Sequence, residues 1–272
     1  MAEIVIEAGH SERQYWKDLW RYRELFWFLA WRDVLVRYKQ TVIGIAWSVI
    51  RPLLTMIVFT VIFGRLAGFP SEGAPYPILV FAAMLPWQLF SNAFTESSNS
   101  LVANVTMLSK VYFPRLIVPA SAVIVSLIDF LVSLGILTVL MLWYGFIPQF
   151  RIIAFPLFLL LVVVVALGLG IWTAALNVKY RDFRYIVPFL VQFGMYISPV
   201  GFSSSVIPDN WRFIYSMNPM VGAIDGFRWA ILGGNSSLYL PGLGLSVVLA
   251  TVILCFGLRY FRKTERTFAD VI

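Results

Sequence analysis

Charged residues divide this chain into apolar runs long enough to cross a membrane. The longest uncharged stretch, Ile152 to Val178, has 27 residues and stops abruptly at Lys179-Tyr180-Arg181-Asp182-Phe183-Arg184. As an α-helix rising ~1.5 Å per residue it measures about 40 Å, against ~30 Å of hydrocarbon in a bilayer. Inside lipid every backbone N–H and C=O needs a partner within its own segment, which selects a helix. The same division predicts six spans. The first runs from Thr41 to Phe63, interrupted by Arg51-Pro52, and the second from Tyr76 to Thr95. The third runs from Ile117 to Trp143 and contains Asp129; the fourth is the long uncharged run. The fifth, Tyr185 to Phe202, is broken near its end by Pro199 and Gly201, and the sixth covers Leu238 to Leu258. The expected fold class is all-α, a polytopic membrane protein. Its parts are an N-terminal region 1–40, a transmembrane domain 41–258 and a tail 259–272.

Two segments carry other periodicities. From residue 13 to 31, Tyr15, Leu19, Tyr22, Phe26 and Leu29 recur at three- and four-residue steps, with Trp16, Trp20, Trp27 and Trp31 widening that face. Arg13, Lys17, Arg21 and Glu24 lie opposite, and Ser11 with Gln14 forms a capping box. A basic, Trp-rich helix before the first span is expected to lie in the headgroup layer of the cytoplasmic leaflet. Between the fifth and sixth spans, an apolar piece begins at Pro208 and ends at Met217. Asn218-Pro219 breaks the run, and a second piece follows from Met220 to Leu232. Each is too short to span. They are expected to dip into the outer face as re-entrant half-helices, which requires protein or water to cover the irregular backbone; two helices resting on that surface are the alternative.

Composition narrows the function classes. The chain is 60% hydrophobic and only 13% charged, whereas soluble domains carry about 25% charge, so no soluble block of useful size can be cut from it. With six spans, sixteen of the 21 lysines and arginines share one side with both termini. Arg65, Arg151, Arg212 and Arg228 fall on the other, and Arg51 within the first span. Lys and Arg mark the inner side, so both termini are expected to be cytoplasmic. The net charge of +7 is thereby explained without a nucleic-acid partner. The polar start lacks the pattern of a secretory signal, leaving insertion to the internal spans. His10 and Cys255 are the sole residues of their kinds, which excludes His/Cys metal clusters, Cys–His pairs and a catalytic triad. Cys255 is expected to be a buried thiol. No glycine is followed by Lys, so the phosphate-binding loop G-x-x-x-x-G-K-[ST] is absent. Uphill work would draw on a partner or an ion gradient.

Arg51 and Asp129 are the charges well inside spans, where ionisable groups are costly and usually face protein or a watery path. Each is expected to face the bundle interior, and a pair between them is one arrangement. The alternatives are snorkelling of Arg51 to the inner interface and a hydrogen bond from Asp129 to Ser126 or Ser133.

Several motifs, taken in order, resemble one family. They are Trp31-Arg32-Asp33, Arg37-Tyr38-Lys39 and Gly44-Ile45-Ala46-Trp47 before and within the first span. Asn177 to Phe183 follows, with Pro188 and Ser198-Pro199, then Asn218-Pro219-Met220 with Asp225-Gly226-Phe227-Arg228-Trp229. The last is the tail Phe261 to Asp270. Together they resemble ABC-2 type permeases, and more narrowly those exporting O-antigen, capsule and teichoic-acid polysaccharides. The resemblance implies a homodimer in the bacterial cytoplasmic (inner) membrane, with each copy binding a separate ABC ATPase. Closure of the ATPases would move a lipid-linked polysaccharide outward. ATP and Mg would reside on the partner, and this chain would hold no cofactor or metal and be no enzyme.

By position, the resemblance assigns ATPase coupling to the loop from Asn104 to Arg115, with Lys110, Tyr112 and Arg115, and to Lys179, Tyr180, Arg181, Asp182 and Phe183. Sugar rings stack on aromatic rings, which makes Trp47, Phe59, Phe63, Phe81, Trp87, Phe90, Phe193 and Tyr196 candidates for a substrate path. Exporters of a drug or small lipid, and an ion-coupled transporter with Asp129 as its proton site, are the competing readings.

Overall fold

Each apolar run folds as a helix, and loops fall where prolines and charges cluster. The computed structural model describes residues 12–39, 42–71, 73–233, 238–265 and 268. The described residues form α1 (Glu12–Arg21), α2 (Arg23–Lys39), α3 (Val42–Phe59), α4 (Tyr76–Ala103), α5 (Val105–Leu108) and α6 (Ile117–Trp143). They continue as α7 (Phe155–Lys179), α8 (Phe183–Ile197), α9 (Asp209–Tyr215), α10 (Pro219–Leu232) and α11 (Leu240–Glu265). No strand occurs among them. Five stretches are long and apolar enough to cross a membrane: Val49–Leu66, α4, α6, Phe150–Lys179 and α11.

Span boundaries differ from expectation in instructive places. Arg51-Pro52 does not interrupt the first helix: Pro52 lies inside α3, and the chain continues as π-helical turns from Thr60 to Leu66. The expected fifth span is shorter than drawn. α8 has 15 residues and stops at Ile197, because Ser198 turns extended ahead of Pro199, and a residue before proline avoids the helical region. The expected half-helices correspond to α9 and α10, separated by Asn218, whose side chain accepts from the Met220 N–H and caps α10. Cys255 is exposed on α11 rather than buried. The predicted capping box at Ser11, together with His10, lies outside the described residues.

α4 forms the centre, with 78% of its most apolar window buried. Small residues allow this: Ala82, Ala83, Ala93, Ser97 and Ser98 are all fully buried, so neighbouring helices approach its backbone closely. Hydroxyls in such a helix bond back to its own carbonyls, as Ser100 does to Ser97 O at 2.7 Å. α6, α7, α8 and α10 pack around α4, and α11 packs on the far side of α7. The α7–α11 crossing depends on glycine. A Cβ on Gly257 would sit 2.4 Å from the carbonyl oxygen of Gly168, and one on Gly168 would sit 2.8 Å from the Leu254 nitrogen. Small residues at such crossings let helix backbones touch, which is how helices associate in lipid.

The N-terminal helix is longer than its periodicity predicted. It runs from Glu12 to Lys39 with one non-helical position at Tyr22, bridged by bonds from Tyr22 N–H to Asp18 O and from Phe26 N–H to Tyr22 O. Tyr15, Leu19, Tyr22, Phe26 and Leu29 pack on a core patch with Leu101, Phe113, Leu116 and Phe261. Trp16, Trp20, Trp27 and Trp31 point away from it and are exposed. The single wide face therefore resolves into two: one for protein and one outside it.

Candidate functional site

Two polar joints and two loops organise the bundle. The loops lie at one end. α4 ends at Ala103, and the side-chain amide of Asn177, near the end of α7, donates to Ser98 O (3.2 Å) and Asn99 Oδ1 (3.1 Å). In the first loop, Lys110 and Tyr112 are exposed, Phe113 and Pro114 are buried and Arg115 is half-buried. The second is only three residues long, Tyr180 to Asp182, between α7 and α8. There Lys179 Nζ lies 5.2 Å from the centre of the Tyr180 ring. Arg181 and Asp182 are exposed, and Phe183 is half-buried at the start of α8. These eight residues thus present basic and aromatic groups at one end of the bundle, on loops continuous with long helices.

The first polar joint sits near Asp129, at the middle of α6. Its carboxylate pairs with Arg37 Nη2 at 2.8 Å and accepts a hydrogen bond from the Tyr38 hydroxyl. Arg37 also reaches Glu96 of α4 at 3.4 Å, and Arg32 donates to Asn104 Oδ1 at 2.9 Å and to Asp33 Oδ1 at 2.7 Å. Arg51 takes no part: it is exposed on α3, so the pairing of Arg51 with Asp129 is corrected to Arg37 with Asp129. Neither Ser126 nor Ser133 is the partner; burial of a carboxylate in this region calls for a cation, and α2 brings one. The charges Arg32, Asp33, Arg37 and Glu96, with Asn99 and Asn104, line a cleft of about 510 Å³ between α2, α4 and α6.

The second joint was not visible as a site in the sequence. Arg228, counted there as an outer-loop charge, is among the largest fully buried side chains, 2% exposed. Its guanidinium donates to Phe202 O (2.6 Å), Val200 O (3.2 Å) and Leu79 O (3.5 Å). Beside it the Tyr76 hydroxyl donates to Gly201 O, the Ser204 hydroxyl to Asp225 Oδ2, and the Asn218 amide to Ser198 Oγ. The backbone from Ser198 to Phe202 is not helical, so its carbonyls lack intrahelical partners, and a planar guanidinium with several donors satisfies them at once. The available signal was Asp225 three residues before Arg228, on one face of an otherwise apolar α10.

The predicted path aromatics separate into three groups. Phe81, Trp87 and Phe90 are core residues, 1%, 5% and 6% exposed, with Trp87 against Gly194 of α8 and Phe90 stacked on Phe94. Phe59 and Phe63 are half-buried and pack edge to face. Trp47, Phe193 and Tyr196 are exposed on the bundle exterior, and Phe193 stacks on Phe189 with planes 6° apart. The eight do not come together around one described cavity.

One residue outside the expected set ties the tail of α11 to the first loop. Glu265 accepts from the Arg115 backbone N–H at 2.8 Å and from the Tyr15 hydroxyl at 3.0 Å, while Arg115 Nη1 donates to Glu265 O at 2.9 Å. Burial, then the Glu265 carboxylate, push the Tyr15 hydroxyl well above the usual phenol range, so it stays a donor. Among the described residues no three His, Cys, Asp or Glu side chains group to hold a metal.

Comparison with known proteins supplies a family match. A family model described as ABC-2 type transporter matches residues 24–232. The "O-antigen export system permease protein RfbA" of Klebsiella pneumoniae is 29% identical over 248 residues, 89% of this chain and 92% of that protein. Its namesake in Myxococcus xanthus is 28% identical over 259 residues, 94% and 98% of the two chains. The "Polysialic acid transport protein KpsM" of Escherichia coli is 22% identical over 242 residues, 86% of this chain and 91% of that protein.

Proposed function

The chain belongs to the ABC-2 type transporter family, and from that premise we propose that it is the membrane subunit of an ATP-driven exporter of a lipid-linked polysaccharide. The observation that carries this reading is the end-to-end similarity to permeases named for O-antigen and polysialic acid transport. A separate ABC ATPase supplies the work, consistent with the missing phosphate-binding loop. It docks on Lys110, Tyr112 and Arg115 and on Lys179 to Phe183. Short loops continuous with α4, α6, α7 and α8 pass a displacement into the bundle without slack, and exposed Tyr112 and Tyr180 suit a compact anchor.

In this reading the chain crosses the inner membrane six times with both termini cytoplasmic. α8 completes the fifth crossing together with the non-helical residues 198–202, whose carbonyls Arg228 pairs, as backbone at membrane depth requires. α10 is the re-entrant piece, supported by its burial against α4, α7 and α11. The exposed tryptophans of α1 and α2 lie among lipid headgroups. A second copy of the chain covers α3, whose apolar window is the least buried of the five at 11%, and the Phe189–Phe193 face of α8.

Purification of the chain from its native membrane tests the reading, with an ABC ATPase expected to accompany it and deletion expected to strip surface polysaccharide. A chain that purifies alone, in cells whose surface glycan survives its deletion, would sink it. Within the complex, Arg181→Asp with Asp182→Arg should leave the permease inserted while separating ATP hydrolysis from export; normal export in that double variant counts against the loop assignment.

A further inference from the structure

The contacts around Glu265 join three parts of the chain that lie far apart in sequence. Its carboxylate holds Arg115 N–H through one oxygen (2.8 Å) and the Tyr15 hydroxyl through the other (3.0 Å). Its own carbonyl holds the Arg115 guanidinium (2.9 Å). The same guanidinium lies 5.7 Å from the centre of the Phe268 ring, and Phe268 packs edge to face on Phe261 at 5.6 Å between centroids. Arg262 covers the Tyr15 ring from 4.4 Å. Both aromatic side chains are fully buried, and Leu116, Phe113 and Leu29 belong to the same apolar patch. Arg115 lies two residues ahead of α6. A backbone N–H at the approach to a helix has no partner from the helix ladder, and a carboxylate beside it also meets the positive end of the helix dipole. Glu265 therefore holds the turn that leads into α6 from the end of α11, at the last residue of the first loop.

We propose that Glu265 is a positioning residue for coupling: it fixes the first loop, Asn104 to Arg115, to the ends of α11 and α1, so that displacement of the loop moves α6 and α11 together. The inference rests on the reading that this loop receives the ATPase. Freed from Glu265, the loop still presents Lys110 and Tyr112 to the ATPase, since neither side chain contributes to the clamp. What changes is the fraction of its displacement that reaches the helices.

Glu265→Gln and Glu265→Ala separate this role from simple stabilisation. The glutamine retains an acceptor for the Arg115 N–H and a polar group for Tyr15; the alanine retains neither. Two quantities are read for the full chain with its ATPase: the ATP hydrolysis rate of the purified complex, and surface glycan on cells whose own copy has been replaced, labelled by periodate oxidation and a hydrazide dye. Allosteric couplings typically amount to between 5- and 150-fold. Glu265→Ala is expected to lower surface glycan per ATP hydrolysed by about tenfold, with the same yield of complex, and Glu265→Gln to restore most of it. A cysteine at Lys110 or Tyr112 is expected to crosslink to the ATPase in the otherwise native chain and in both variants. Equal export per ATP in the alanine variant, with those crosslinks present, overturns the clamp alone. Failure of the crosslinks in the native chain overturns the docking reading and the clamp with it. Loss of the complex in the alanine variant, at unchanged export per ATP in Tyr15→Phe, reassigns Glu265 to stability and also overturns it.

Discussion

The two polar joints handle buried charge in different ways. At the second joint Arg228 is sealed from solvent, and its guanidinium donates to three backbone carbonyls. At the first joint Asp129 is met by a side chain from a different helix, Arg37, which is itself 37% exposed and shared with Glu96. Backbone acceptors cannot turn away or change protonation, whereas an ion pair that reaches water is screened and weakened by salt. The Arg228 joint is therefore expected to be the stronger of the two.

Substitution of Arg228 should have the largest effect. Arg228→Ala orphans the Val200 and Phe202 carbonyls, and an unsatisfied buried acceptor costs ~1–3 kcal/mol, so a loss of about 3 kcal/mol is expected in a denaturant titration of the detergent-solubilised chain. Arg228→Lys should fall between, because one ammonium cannot replace a planar fork. Stability unchanged by Arg228→Ala would erase the difference between the joints. Next comes the close α7–α11 crossing: Gly257→Ala forces a methyl onto Gly168 O, and overpacking of this kind costs ~1–3 kcal/mol. The first joint should give less. A double-mutant cycle on Arg37 and Asp129 is expected to show a coupling of about 1 kcal/mol, and 1 M salt should weaken it because Arg37 and Glu96 reach solvent. A salt-independent coupling would mean that the first joint is as fixed as the second. The smallest stability change is expected for Trp20→Ala, within about 0.5 kcal/mol, accompanied by weaker binding of an α1–α2 peptide to anionic vesicles; unaltered binding would remove the headgroup role.

What could be read from the sequence follows from how each feature is encoded. Helix positions depend on local composition, so the charges around it delimit Ile117–Trp143, and Pro199 marks a break near the end of the fifth span, although α8 stops short of the expected Phe202. Pairing depends on the fold. Arg37 and Asp129 are separated by α3, α4, α5 and half of α6, and nothing in either neighbourhood sets their relative depth. Arg228 was placed by counting charges, which assumes that an arginine between spans is in water. That assumption failed because a non-helical segment beside it needed donors. The two apolar sides of α1 and α2 were merged for a related reason: periodicity identifies apolar positions but not what covers them. Glu265 lies in a basic tail, where nothing in the sequence singles it out.

The contact between Gly168 and Gly257 has a mechanical meaning. Two rods joined at one point can slide and twist past each other, but backbones that touch where any side chain would intrude resist both. Bending such a pair resembles bending a single thicker beam, stiffer than either rod alone. α7 carries the three-residue loop at its end, and α11 ends at the carboxylate that grips the other loop. On the proposed clamp, a push on either loop would load one composite beam, and the expected response is a tilt of the pair rather than a local flexing of one helix.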